Sequence, residues 1–216
     1  MILYKSIMKM AIAERTIEKS RFVAYASPIE SREEALDFIR DCKIKNKGAT
    51  HFVPAFITGI SQDLQWCSDD GEPQGSSGQP VLKMMAGEGI TNIIVVVVRY
   101  FGGIKLGTGG LARAYSSVAK EAINLGLICN VEKAKNFEIQ SDYKDFQKIV
   151  QSAEKGNFII ENQRFNENIE ANLVIKWENA EKAIKDLMDL TNGRMKIFSE
   201  RDKLLKNAID NKNTVC

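Results

Sequence analysis

Histidine is almost missing from this chain: His51 is the only one in 216 residues. A single imidazole at the start of an apolar strand is first of all a structural residue, and any acid–base or metal chemistry would lean on carboxylates. Cysteine is scarce and scattered. Cys42, Cys67, Cys129 and Cys216 form no Cys-x-x-Cys pair and lie too far apart for a dense disulfide scaffold, so reduced thiols and a cytoplasmic location are expected. Long apolar runs are absent as well. The longest strongly apolar stretch, Ile93 to Val98, is 6 residues, where a membrane span needs about 20, so no membrane partner is expected. Lys5 and Lys9 interrupt the apolar start of the chain, which argues against a secretory signal. Neither sign of charge dominates. Thirty Lys and Arg oppose 28 Asp and Glu, a formal net charge of +2, which excludes a histone-like or polybasic-tail protein.

What is present is an ordinary globular composition, 44% apolar and 27% charged, on a chain long enough to bury roughly 70% of its unfolded surface. Ala11 to Ile17 and Phe22 to Ile29 read as strands. Ser31 with Glu34 three residues on forms a capping box for a helix that places Ala35, Phe38, Ile39 and Cys42 on one face and closes with Lys43, Lys45 and Lys47. Thr50 to Ile60 is apolar on both alternating faces, as in a strand covered on both sides, and Leu64 to Cys67 can pair back with it. Pro80 suits a first helical turn. Asn92 to Phe101 is a β-branched run and reads as a buried central strand. Thr108 is positioned to cap a helix carrying Leu111, Tyr115, Val118 and Ala122, with Gly126 at its end and a strand from Leu127 to Val131.

From about Lys135 the pattern becomes strand (137–140), helix (143–155), two strands (157–163 and 169–176), helix (180–190) and strand (194–198). That βαββαβ order predicts a ferredoxin-like C-terminal domain. The fold class is therefore α+β, with domains expected at 1–133 and 134–216. Ser199 with Asp202 predicts one last short helix through Leu204, Leu205 and Ala208 before a polar tail.

The information is concentrated in one segment, Arg99-Tyr100-Phe101-Gly102-Gly103-Ile104-Lys105-Leu106-Gly107-Thr108-Gly109-Gly110-Leu111-Ala112-Arg113. It joins a buried strand to a helix and holds five glycines, three cations and no acid. Glycines let a backbone present bare N–H groups, and a helix N-terminus adds unpaired donors and positive dipole, so the junction suits a phosphate or an RNA backbone. It is not a Walker loop, because Gly107 runs straight into Thr108 with no Lys between. Gly107-x-Gly109-x-x-Ala112 matches the dinucleotide fingerprint formally, with Glu132 some way on, but five residues separate the strand from the first of these glycines and no series of parallel βα units follows. A tight strand-to-helix crossing is the structural alternative.

Asp69, Asp70 and Glu72 make a second cluster in a Gly- and Pro-rich loop. They can serve as solvated turn residues, as ligands of a hard cation, as acid and base together with His51, or as neutralising partners of Lys105 and Arg113. Nucleophilic catalysis has little to stand on. Ser76 and Ser77 lack the G-x-S-x-G elbow, and Cys67 has no evident base.

Ala49-Thr50-His51, the block Ser68-Asp69-Asp70-Gly71-Glu72-Pro73 with Gly75-Ser76-Ser77-Gly78-x-Pro80, and the segment from Arg99 to Leu111 continued by Arg113 and Tyr115 together resemble the IMPACT family. The resemblance covers about residues 1–133, and the remainder looks like the small C-terminal domain of its bacterial members. It implies an N-terminal domain like domain 2 of a small-subunit ribosomal protein and domain IV of elongation factor G, and a C-terminal domain like domain V of that factor. It also implies RNA or ribosome contact. Eukaryotic members are linked to translational control through a protein partner, the activator of the kinase that responds to amino-acid starvation. The function expected is a non-catalytic, RNA- or ribosome-binding regulator of translation, without catalytic residues, metal or cofactor. Its site would comprise Arg99, Tyr100, Phe101, Gly102, Gly103, Lys105, Gly107, Thr108, Gly109, Gly110 and Arg113, with His51, Asp69, Asp70 and Glu72 as a second loop. The alternatives are a metal-dependent hydrolase on that second loop and an inhibitory protein-interaction module.

The near-zero net charge conceals two opposed blocks. Residues 48–82 hold the acids Asp63, Asp69, Asp70 and Glu72 and no Lys or Arg, while residues 89–120 hold Arg99, Lys105, Arg113 and Lys120 and no acid. Whether these blocks face each other or a ligand decides the function.

Overall fold

A computed structural model describes residues 2–209 of the chain. The protein is α+β and divides into two compact units, principally Tyr4–Asn130 and Val131–Lys206. In the larger unit the elements run β1 (Ile2–Ile7), β2 (Ala11–Ile17), β3 (Ser20–Pro28), α1 (Arg32–Lys45), β4 (His51–Thr58), β5 (Leu64–Cys67), α2 (Gly78–Gly87), β6 (Ile93–Tyr100) and α3 (Gly107–Leu125). Five of the strands form an antiparallel sheet in the order β2-β3-β6-β4-β5.

The apolar run of β6 lies at the centre of this sheet because both of its faces are covered. Ile93, Val95 and Val97 pack under α2 and α3 with Leu82, Met85, Tyr115 and Val118, and Ile94, Val96 and Val98 pack beneath α1 with Ala35 and Cys42. A strand buried on both sides has no polar face to alternate with, so its sequence reads as continuous hydrophobe. Pro54, in the middle of β4, costs no ladder bond. Its carbonyl accepts from Ser68 N at 3.1 Å on the β5 side, so its nitrogen faces that side too, where the β4–β5 pairing has already ended at Ala55 and Cys67.

Helix α1 begins with the N-cap its sequence predicts: Ser31 Oγ accepts from Glu34 N at 3.2 Å, while Glu34 Oε2 reaches back one residue further than in a capping box and accepts from Glu30 N at 2.9 Å. Along α3, Leu111, Tyr115, Val118 and Ala122 are all buried, on the one face that their spacing predicts.

The smaller unit runs β7 (Ile128–Ser141), α4 (Tyr143–Ala153), β8 (Ile159–Phe165), β9 (Ile169–Lys176), α5 (Ala180–Leu190) and β10 (Lys196–Ala208), which is βαββαβ. Its strands pair in the order β7-β9-β8, with β10 also on β7. Three expectations are corrected. The two strands read at 127–131 and 137–140 are one continuous strand, β7, in which Val131, Ala134, Phe137 and Ile139 are buried on both sides of and within its polar middle. The last short helix expected from Ser199 and Asp202 is instead strand β10, because pairing with β7 overrides a local capping pattern. The opening residues contribute a strand, β1, that their composition did not announce. The polar tail from 210, with Cys216, falls outside the described residues. No helix among the described residues is long and apolar enough to cross a membrane.

Burial pushes the Cys42 thiol up to about 12, with Lys45 pulling it down and Asp41 adding to the rise. In the unfolded chain the thiol ionises near about 8.5. Its contribution to stability is therefore fully present below that pH and is lost as pH rises toward 12. Urea unfolding between pH 8 and 11 should show the wild type losing stability faster than Cys42→Ala; parallel declines would contradict this assignment.

Candidate functional site

The acidic loop between β5 and α2 folds on its own carboxylates. Asp69 accepts from three backbone amides, Gly75 N at 2.7 Å, Ser77 N at 3.1 Å and Gly78 N at 2.9 Å. The last two belong to the N-terminus of α2, so Asp69 caps that helix across eight or nine residues of chain. Asp70 accepts from Phe52 N at 2.7 Å and pins the loop to the start of β4. His51 Nδ1 lies 2.8 Å from the Asp70 carbonyl oxygen, which can only accept, so Nδ1 carries the proton and Nε2 faces Glu72 Oε1 at 3.9 Å.

Glu72 goes elsewhere. Its side chain is 5% exposed, and Oε1 accepts from Arg99 Nη1 at 2.5 Å and from the Tyr115 hydroxyl at 2.7 Å. Arg99, 4% exposed at the end of β6, also donates from Nη2 to Ser20 Oγ at 3.2 Å and lies over the rings of Phe22 and Phe101, each at 5.3 Å. Its Nε is buried without an acceptor. Burial pushes the Tyr115 phenol up, and its hydrogen bond to the Glu72 carboxylate raises it further. One carboxylate thus ties the acidic loop, the central strand and α3 together.

This arrangement answers the question of the two charge blocks. They meet at one point, Glu72 on Arg99, and Arg99 is a buried internal cation rather than a surface ligand group. The residues of the second loop lie close together, with His51 between the Asp70 carbonyl and Glu72, but their carboxylates are committed to other partners. Asp69 and Asp70 are spent on amides and Glu72 on Arg99 and Tyr115, and among the described residues no group of three or more His, Cys, Asp or Glu is placed to hold a metal ion. The donor set needed by a metal-dependent hydrolase on this loop is therefore not assembled. Cys67 is no better placed as a nucleophile: burial raises its thiol, neighbouring Asp69 raises it further, and only Gln79 opposes.

The glycine-rich segment makes a sharp exit from β6. Gly102 passes so close to the β2–β3 turn that a Cβ would stand 1.9 Å from the Lys19 carbonyl oxygen, which only glycine tolerates. Gly102 N donates to Ser20 Oγ at 3.2 Å, and Phe101 N donates to Thr50 Oγ1 at 3.1 Å. Helix α3 starts one residue before the expected cap: Leu106 is its N-cap, Gly107 at φ +68° opens it, and Thr108 lies inside the first turn. The reason is backbone geometry, since glycine enters a left-handed conformation that Thr108 would resist. No side chain caps this N-terminus, and its first turn contains no acid.

Beside it is a recess of 570 Å³ lined by Ile17, Glu18, Lys105, Leu106, Arg113 and Ser117 among others. Lys105 and Arg113 are exposed, and neither forms an ion pair among the described residues. Lys120, the fourth cation of the block, is taken by Glu88 at 2.6 Å. Tyr100 is half-buried, its hydroxyl donating to Asn46 Oδ1 at 3.3 Å, whereas Phe101 is 46% exposed. Ser20, which helps to hold the exit of β6, was not singled out by sequence, because its partners are distant in the chain and no motif marks it; Thr50 stood in the Ala49-Thr50-His51 block, but nothing there revealed its bond to Phe101 N.

A five-stranded antiparallel sheet with helices on both faces, a bare glycine-rich helix entrance on a buried acid–base pair, and a ferredoxin-like unit after it define the class of α+β protein. The Impact N-terminal domain model matches residues 18–123. The chain is 30% identical to the IMPACT family member YvyE of Bacillus subtilis over 207 residues, 96% of this chain and 95% of that one. It is 40% identical to the IMPACT family member YigZ of Escherichia coli over 109 residues, 50% of this chain and 53% of that one. A solved structure described as that of a hypothetical protein aligns with TM-score 0.59 and 26% identity over 91% of this chain and 96% of its own. The protein belongs to the IMPACT family.

Removing one partner of a buried ion pair leaves the other charge uncompensated, at a cost of about 3–5 kcal/mol. Glu72→Ala should lower urea stability by that amount, and Glu72→Ala with Arg99→Met should recover part of it. Equal losses in the single and double variants would show that the charge pairing is not what holds this junction.

Proposed function

We propose that the glycine-rich end of the larger unit binds RNA through its phosphates, free or within the ribosome, and that the protein acts as a non-catalytic regulator of translation. The observation that carries this reading is the contrast between two helix N-termini of one unit. That of α2 is satisfied internally by Asp69, while that of α3 has no cap, no first-turn acid and two unpaired cations beside an open recess. Four amides at such an end lack helical partners, and the helix dipole favours negative charge there. A backbone phosphate supplies acceptors and charge together.

Lys105 and Arg113 add the formal charge, and Glu18 is the one acid lining the same recess. Affinity of this kind arises largely from counterion release and is steep in salt. Phe101 offers an exposed ring next to the phosphate position, backed on one side by the Arg99 guanidinium.

Replacing both Lys105 and Arg113 with Ala should weaken binding to RNA or to ribosomes in co-sedimentation and reduce the salt slope by about one to two. Equal binding of wild type and double variant would refute the reading, and so would a wild type that does not bind at all.

A further inference from the structure

The other face of the sheet carries a second group of cations that the site above does not use. Lys43 and Lys45 end α1 and Lys47 follows its C-cap, Asn46; all three are exposed, and none forms an ion pair among the described residues. A favourable charge at a helix C-terminus accounts for Lys43 and Lys45, but Lys47 lies beyond the helix.

This cationic corner is fastened to the strand that leads into the glycine-rich segment. Asn46 is buried: its Nδ2 donates to the Cys42 carbonyl at 2.9 Å, and its Oδ1 accepts from Tyr25 at 2.9 Å and Tyr100 at 3.3 Å. Thr50 N then donates to the Arg99 carbonyl at 2.8 Å, and Thr50 Oγ1 accepts from Phe101 N. The lysines therefore stand at the same end of the sheet as Phe101 and Gly102, held there by hydrogen bonds to both sides of the turn.

Aromatic rings are interleaved with them. Lys43 Nζ lies 5.8 Å over the Phe52 ring, Arg21 lies 5.1 Å over Tyr100, and Phe101 stands exposed between this corner and the recess of Lys105 and Arg113. Arg21 is already neutralised by Glu14 at 2.7 and 2.8 Å. Lys43, Lys45, Lys47, Lys105 and Arg113 form no ion pair among the described residues, and Asp41 on α1 and Glu18 are acids of the same surface.

We infer that this surface extends the phosphate site into a track for single-stranded RNA, running from the α1 C-terminal lysines past Phe101 to Lys105 and Arg113. The inference rests on the phosphate reading above and specifies its ligand. Cations alone would accept duplex or single strand alike. An exposed ring selects, because a base can lie on it only when it is not already stacked and paired inside a helix.

The test is fluorescence anisotropy of the full chain with an unstructured 12-nucleotide RNA and with a duplex of the same length, each at two salt concentrations. Thermal melting of every variant serves as the folding control. The single strand should bind at least tenfold more tightly than the duplex. Lys45→Gln with Lys47→Gln should weaken it and lower the salt slope by about 1.4, at roughly 0.7 per released counterion. Phe101→Leu should weaken it severalfold with the slope unchanged, as expected for lost stacking. Equal affinity for duplex and single strand would overturn the track. So would a Lys45/Lys47 variant that binds like wild type while Lys105→Ala with Arg113→Ala does not, a result that leaves the phosphate site itself standing. Binding of neither RNA by the wild type would remove both.

Discussion

Under α3, the carboxylate of Glu72 accepts hydrogen bonds from Arg99 Nη1 at 2.5 Å and from the Tyr115 hydroxyl at 2.7 Å, almost out of reach of solvent. Three segments far apart in sequence meet on that one group: the acidic loop before α2, the end of the central strand, and the third turn of α3. Through Arg99 the contact reaches Ser20 in the β2–β3 turn, and Ser20 in turn holds Gly102 where the chain leaves the sheet. Burying two charges is expensive, and a well-packed apolar substitute is often as stable. What the pair supplies is placement, since a carboxylate with two directional donors tolerates one arrangement of loop, strand and helix. The bare entrance to α3 is a consequence of that placement.

The same pair explains why the net charge was uninformative. Of the four cations between residues 89 and 120, Arg99 is consumed inside the fold and Lys120 by Glu88, which leaves Lys105 and Arg113 for solvent or a ligand. Of the four acids between residues 48 and 82, Asp69 and Asp70 turn to backbone amides and Glu72 to Arg99. Asp69 satisfies α2 in the way a ligand anion would satisfy α3.

Much of the architecture was legible because it follows from local rules. The unbroken Ile93–Val98 run requires a strand covered on both faces, the Ser31 N-cap starts α1, and the βαββαβ order of the smaller unit follows from its alternating periods. Two of the errors share one physical source, tertiary pairing that outweighs local preference, and the third is a matter of local backbone geometry. Ser199 and Asp202 look like a helix start until β7 offers a ladder, and the polar middle of β7 looks like a break until it pairs with β9 from Ala134 onward. Thr108 looks like a cap until Gly107 takes the left-handed turn. At the candidate site, the motif blocks contained Glu72 and Arg99, which meet in the structure, but did not show which residues would pair. Nothing in the sequence distinguishes Glu72, which reaches Arg99 across 27 positions, from Asp69 and Asp70 beside it.

The account as a whole turns on whether the amides at the start of α3 face a phosphate. Titrating uniformly ¹⁵N-labelled protein with a short unstructured RNA at low salt, and following backbone amide shifts, addresses this residue by residue. The account predicts the largest perturbations at Lys105, Gly107, Thr108 and Gly109, fading as salt is raised, with the capped start of α2 at Ser77 and Gly78 unaffected. Perturbations absent from residues 105–109, or confined to the smaller unit, would contradict it.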